Sequence, residues 1–464
     1  MLPFGALLIA IAVAPLLCAD WWSRHYPKVA GALAAVTVGY YLLGLQAPGR
    51  VAQVGHDYIS FIALIGSLFV VAGGIHVTVK GEATPRANVV FLLLRALVAN
   101  LLGTTGASML LIRPWLRMNK YRLTAHHVVF FIFLVSNVGG CLTPVADPPL
   151  FLGYLKGVPF WWVVAHCWPM WAVGVGTLLV MFFLVDRHNY RRAPVQVRAR
   201  LAEPGDQWHF EGLGNVFFLA MIVGAVFVRR PPFLRETIMV LAALGSWLTT
   251  RRAIHQANHF DFHPLREVAV LFVGIFATMM PALDWLQSNA STLGVPTVGL
   301  FYWLAGTLSS VLDNAPTYLT FLSAAAGTHI GADVVSQVQQ ALAAGTWDLA
   351  AATGPHADLV RGALSVLAPA TGGHGGCHDL PADVIRVAGL LGSPELSRSI
   401  VAVSVGAVFF GANTYIGNGP NFMVKAIAEQ KHAHLPTFLG YVFRYTLPFM
   451  VPMLLLVWWL FFRR

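Results

Sequence analysis

Apolar stretches close to 20 residues long recur along this chain, and that repetition constrains its fold more than any single motif. Runs at 3–19, 29–46 and 57–79 each match the roughly 20 helical residues needed to cross a hydrocarbon layer of about 30 Å. With 57% apolar and only 11% charged side chains, against about a quarter charged in soluble domains, an ordinary cytosolic enzyme is excluded. The expectation is an all-α polytopic membrane protein folded as one body. The N-terminal run has no basic start and no small-residue cleavage pattern, so it is read as the first spanning helix. The formal charge of +10 sits in short loops between apolar stretches, where membrane orientation accounts for it and no nucleic-acid partner is needed. Four cysteines without paired spacing, Cys18, Cys141, Cys167 and Cys377, imply no disulfide framework.

Two stretches in each half break the pattern. Segment 87–112 is apolar but carries Gly103-Thr104-Thr105-Gly106 at its middle, which predicts a re-entrant hairpin, because lipid would leave a turning backbone unpaired. Segment 124–157 holds Ser136 to Pro149, rich in glycine and proline, so it reads as a broken helix. A regular span at 158–185 and an arginine-rich cytoplasmic linker at 186–212 follow. The order then repeats, with spans at 213–228, 233–250 and 265–283, a hairpin at 297–323, a broken helix at 400–428 and a final span at 435–461.

This repetition predicts two repeats, 1–185 and 213–464. Asn137 and Pro144 share their spacing with Asn413 and Pro420, which aligns the two broken helices. The connector after the first hairpin carries Arg113, Arg117, Lys120 and Arg122 and no acid, whereas the insertion at 323–399 carries six acids and three bases. Basic short loops stay in the cytoplasm. The first hairpin is therefore expected to enter from the cytoplasm and the second from outside, as in an inverted repeat with its site near mid-membrane.

The candidate chemistry sits at the interruptions. An ionised carboxylate at mid-membrane is costly unless a cation, water or partner compensates, and such residues mark ion or proton paths. Asp313, before Asn314-Ala315-Pro316-Thr317, and Asp147, before Pro148-Pro149, are the two candidates. Each also suits a capping or turn role. Thr104, Thr105, Asn137, Thr143, Asn314, Thr317, Asn413, Thr414 and Asn418 add hydroxyl and amide oxygens, an inventory suited to a hard monovalent cation. Arg95, His166 and Arg444 are intramembrane cations that either offset the aspartates, bind an anion or snorkel to headgroups. Thr371 to Asp379, with His374, Cys377 and His378, is a glycine-rich outer loop or a transition-metal ligand set of no recognised spacing. The paired tryptophans suit an interfacial belt or packing. No Walker loop or Rossmann fingerprint is present.

The motif Ser136-Asn137-Val138-Gly139-Gly140 with Thr143 to Pro149, the Asp313-Asn314-Ala315-Pro316-Thr317 tip and the stretch Asn413 to Asn421 together resemble the ion transporter superfamily. That group includes citrate-transporter-like proteins, divalent-anion:sodium symporters, arsenite permeases and NhaD-type sodium:proton antiporters. The resemblance covers about 57–461. It implies a dimerising scaffold and a moving transport domain built from the hairpins and broken helices. Carboxylate carriers of this group bear Ser-Asn-Thr at each tip. Here the tips read Gly103-Thr104-Thr105 and Asp313 to Thr317, so Thr105, Asn314 and Thr317 carry over and a negative charge is added. The expected activity is sodium:proton antiport in a bacterial-type inner membrane, with Na⁺ and H⁺ as cargo, no cofactor and no enzymatic role. The alternative is cation-coupled uptake of citrate or another organic anion, and a third reading is metal handling at the 374–379 loop.

Overall fold

In the computed structural model the described residues are 1–78, 84–193, 209–228, 231–289, 297–343, 356–371, 380–431 and 433–463. Among the described residues the fold is all-α apart from one two-stranded ladder. Helices α1 (Leu2–Leu17) and α2 (Ala19–Gly39) come first. The second begins ten residues before the apolar run at 29, because Trp22 and Tyr26 pack against Ala14 of α1 and extend the helix through a charged stretch. Helix α3 (Pro48–Gly73) follows. His76–Thr78 then pairs antiparallel with His209–Glu211, so the expected third span stops short and the end of the linker is a strand.

The first hairpin is α4 (Pro85–Leu102) and α5 (Thr104–Met118). Thr84 caps α4 by accepting from the Ala87 N–H at 3.2 Å. Gly103 alone separates the arms, with φ +75° and ψ 150°, a region of backbone space essentially reserved for glycine. A broken helix follows, α6 (Ala125–Leu134) and α7 (Pro148–Leu155), with a tight turn at Val138–Gly140 between them. A Cβ at Gly139 would lie 2.8 Å from the Ala96 methyl, so glycine there lets the break rest directly on α4. Helix α8 (Phe160–Arg192) takes in the first residues of the expected linker.

The second half has α9 (Asn215–Val226), α10 (Leu234–Thr249), an unanticipated short α11 (Arg252–Ala257) and α12 (His263–Asn289). Its hairpin is α13 (Val298–Ser309) and α14 (Asn314–His329). The insertion forms α15 (Ala332–Ala343), α16 (Ala357–Thr371) and α17 (Ala382–Leu391). Helices α18 (Pro394–Phe410) and α19 (Gly419–Gln430) are the halves of the second broken helix, and α20 (Phe438–Phe462) is the last span.

Six of these helices are long and apolar enough to cross a membrane. Packing sorts inner from outer helices. Val128 to Leu134 of α6 are fully buried, as are nearly all residues from Ile400 to Phe410 of α18, so both are surrounded by protein on every side. Leu2, Leu43 and Leu248 are about 80% exposed or more, the surface expected where lipid is the solvent.

The two breaks differ in length. Their first half-helices end at Leu134 and Phe410, 276 positions apart, in agreement with the Asn137–Asn413 spacing. Their second half-helices start at Pro148 and Gly419, only 271 apart. Pro144 and Pro420 are therefore not structural counterparts. Pro420 lies in the first turn of α19, whereas Pro144 lies in irregular backbone, and the counterparts are the N-cap residues Asp147 and Asn418. Identical spacing in sequence hid five extra residues in the first break.

Candidate functional site

All four interruptions meet at Asp147. Its carboxylate, 1% exposed, accepts from the Thr104 hydroxyl at the first hairpin tip at 2.9 Å. It also accepts from the Asn314 amide at the second tip at 2.8 Å and, more loosely, from the Asn418 amide in the second break at 3.5 Å. The Thr104 N–H donates to the Ala146 carbonyl at 2.6 Å, fixing the tip against the break. The hydrogen-bond partners are all neutral donors.

Around this carboxylate, amides replace the helix hydrogen bonds that the breaks forgo. Asn137 donates to the Ile132 carbonyl at 2.9 Å and to Asn421 Oδ1 at 2.7 Å. Asn418 donates to Asn137 Oδ1 and to the Ser136 carbonyl, both at 3.1 Å. Asn421 in turn donates to the Gly411 and Thr414 carbonyls. Asn100 serves the first break, donating to the Gly139 carbonyl at 2.7 Å and accepting from the Leu142 N–H. Thr143 donates to the Asn100 carbonyl at 2.6 Å. At the second tip, Asn413 donates to Ser310 Oγ and the Thr414 hydroxyl to the Ser310 carbonyl. Asn137, Thr143 and Thr414 thus hold backbone in place. Asn100, Ser310 and Asn421 were missed from sequence, although an asparagine in the middle of an apolar hairpin arm, as at Asn100, is a readable signal.

Asp313 is half-buried and caps α14 by accepting from the Ala315 N–H at 3.0 Å. Thr317 spends its hydroxyl on the Asp313 carbonyl at 3.0 Å. Asp313, Thr105, Pro148 and Asn418 line a cavity of about 40 Å³ together with Phe61, Phe69, Leu265 and Phe272. Thr104, Thr105 and Asp147 share a second space of about 20 Å³. About 10–15 Å³ of such space is enough to hold a water, so these are spaces for bodies of water or ion size. Asp313 is close enough to act electrostatically on Asp147. Two buried oxygens, Asn314 Oδ1 and Asn413 Oδ1, have no hydrogen-bond donor. An acceptor left in this state on Asn314, whose amide is bonded to Asp147, fits a cation better than an anion.

The intramembrane cations stay away from this centre. Arg95 is buried with its guanidinium carbon 3.2 Å from the Phe91 ring centre and within 6 Å of the Trp115 and Phe131 rings. None of its nitrogens has a hydrogen-bond partner. Arg444 is exposed, and His166 is exposed and stacked on Trp162. None of the three lines either cavity. Trp171 donates to the Gly139 carbonyl at 2.9 Å and so supports the first break. The His374, Cys377 and His378 loop lies outside the described residues.

Away from this centre, Lys156 at the end of α7 binds Asp57 of α3 and Asp383 of α17, each at 2.7 Å. Burial pushes the Asp383 carboxyl up, but the Lys156 ammonium, aided by Arg50 and a backbone N–H, outweighs it and holds the group below its ordinary range.

An all-α, multi-pass membrane body whose hairpin tips and broken helices enclose one buried carboxylate belongs to the class of secondary transporters. Residues 1–462 match the family described as "Putative citrate transport", and the chain belongs to that family. No curated relative matches the chain.

Proposed function

We propose that this secondary transporter binds a small cation at Asp147 and Asp313 and exchanges it for protons. The observation that carries this reading is the pairing of two carboxylates with neutral amide and hydroxyl groups around cavities that, among the described residues, no Lys, Arg or His lines. A proton and a monovalent cation, sodium being the natural candidate for oxygen ligands, compete for the same carboxylate, and that competition suffices for exchange. Asp313, Thr105 and the free oxygens of Asn314 and Asn413 are the proposed ligands, with Asp147 as second carboxylate. The two halves act as inverted repeats, so that movement of the hairpins and breaks opens the centre to one side and then the other. A homodimer in a bacterial inner membrane is the proposed setting.

The family description favours a second reading, cation-coupled citrate transport. There the same carboxylates hold the coupling cation, and citrate enters only after the cation has offset their charge and the space has widened.

Vesicles containing the purified protein and a trapped pH dye, challenged in turn with Na⁺, Li⁺, K⁺ and citrate, separate the two. Proton movement on adding Na⁺ or Li⁺ without citrate supports exchange. A response that requires citrate overturns it in favour of the second reading.

A further inference from the structure

At the base of the first hairpin, far along α4 from its tip, a polar cluster lies outside the proposed ion site. Asp186 of α8 is fully buried, and His126 and His127 in the first turn of α6 are at most 4% exposed. The Nε2 atoms of both histidines lie 3.2 Å from the same oxygen, Asp186 Oδ1. On the far side of the rings, both Nδ1 atoms face one hydroxyl, Thr124 Oγ1, at 2.6 and 3.0 Å. Although close to Asp186, His127 Nε2 has no hydrogen bond of acceptable geometry.

We propose that His126, His127 and Asp186 form a binding site for a divalent transition-metal ion of the zinc type, for which Arg122 is the resident competitor. Ligand atoms about 2.0–2.1 Å from a tetrahedral zinc ion sit about 3.3–3.4 Å from one another, close to the observed 3.2 Å separations. Two imidazoles and a carboxylate leave a fourth position for water. With metal on Nε2, each ring carries its proton on Nδ1 and donates it to Thr124 Oγ1, the kind of outer partner that orients metal-bound imidazole. For both rings this is a change of tautomer, since His126 Nδ1 also faces the Asn189 amide nitrogen and His127 Nδ1 the Thr124 N–H, each at 3.3 Å. Nothing is oxidised and no net proton is required.

Arg122 ion-pairs with both Asp186 oxygens, its Nη2 at 2.8 Å from Oδ2. Asn88 also donates to Oδ2 at 3.0 Å. The metal takes Oδ1, and Arg122 gives up its bond there while keeping Oδ2. The guanidinium charge opposes the metal, so affinity is set by how readily Arg122 yields. Occupancy ties the start of α6 to the end of α8.

The test is Co²⁺ titration of the full-length protein in detergent, followed by the visible absorption of four-coordinate cobalt, with Zn²⁺ as displacing ion. One saturable site per chain is expected. Arg122→Met should tighten binding about tenfold or more by removing the opposing charge. Thr124→Val should weaken it about 10- to 100-fold, and the His126→Ala, His127→Ala pair should abolish the band. Absence of a saturable band in both the parent and Arg122→Met overturns the proposal. Binding that survives the double histidine substitution does so too, because it then belongs to surface histidines.

Discussion

Replacing Asp313 with asparagine tests the proposed exchange with little disturbance to the fold. The carboxylate is half-buried, and its structural duty is to accept the Ala315 N–H at 3.0 Å and so cap α14. Asparagine caps helices about as well as aspartate. What is lost is the attraction between a negative charge and the helix N-terminus, worth about 0.3–1 kcal/mol. Asp313→Asn should therefore cost no more than about 1 kcal/mol of stability, whereas Asp313→Ala, which removes the cap, should cost about 0.5–2 kcal/mol. Transport responds differently, because the amide can neither release a proton nor neutralise a cation. In dye-loaded vesicles, Na⁺-driven proton movement should fall to the level of protein-free vesicles for both variants, while thermal unfolding in detergent ranks their stabilities as above. Under the citrate reading, removal of a charge that repels the anion leaves citrate uptake intact or faster. Full Na⁺-driven exchange by a correctly inserted Asp313→Asn protein refutes the role given to this carboxylate.

Asp147→Asn should be the more damaging change, since an amide turns an NH₂ group either toward the Thr104 and Asn418 donors or toward the Asn314 donor. One unsatisfied buried contact costs about 1–3 kcal/mol, and unfolding temperatures equal to those of Asp313→Asn would contradict it. Gly103→Ala forces a side chain into φ +75°, with its Cβ 3.4 Å from the Val145 carbonyl, and should destabilise the tip by about 1–3 kcal/mol. A wild-type yield of folded protein and an unchanged unfolding curve would argue against that strain. For pH, the Asp383 carboxyl is held below its ordinary value in the folded chain. Its contribution is therefore present above the unfolded carboxylate value of about 3.9 and lost as pH falls through the lower folded one. Thermal stability should decline below about pH 4, and Lys156→Gln should flatten that decline. An identical acid limb in both proteins would remove Lys156 from the account.

Local composition already determined the membrane class, the helical fold and the places where helices are interrupted within the membrane. Gly103 between two apolar arms and the glycine-proline stretches after Asn137 and Asn413 are rules of backbone chemistry, legible without any knowledge of neighbours. Asp147 and Asp313 stood out for the same reason, as charges where the solvent is lipid. Which oxygens are free was decided only in three dimensions. Thr143, Thr317 and Thr414 looked like ligands but spend their hydroxyls on nearby carbonyls, and Asn100 and Asn421 emerged as the props of the breaks. Arg95 looked like a counter-charge for the aspartates but stacks on Phe91. The five-residue difference between the breaks, which pairs Asp147 with Asn418 rather than Pro144 with Pro420, was likewise hidden. A hydrogen-bond donor satisfies whichever acceptor the fold brings within about 3 Å, and for these residues that acceptor is set by the packing of distant helices as much as by the neighbouring sequence.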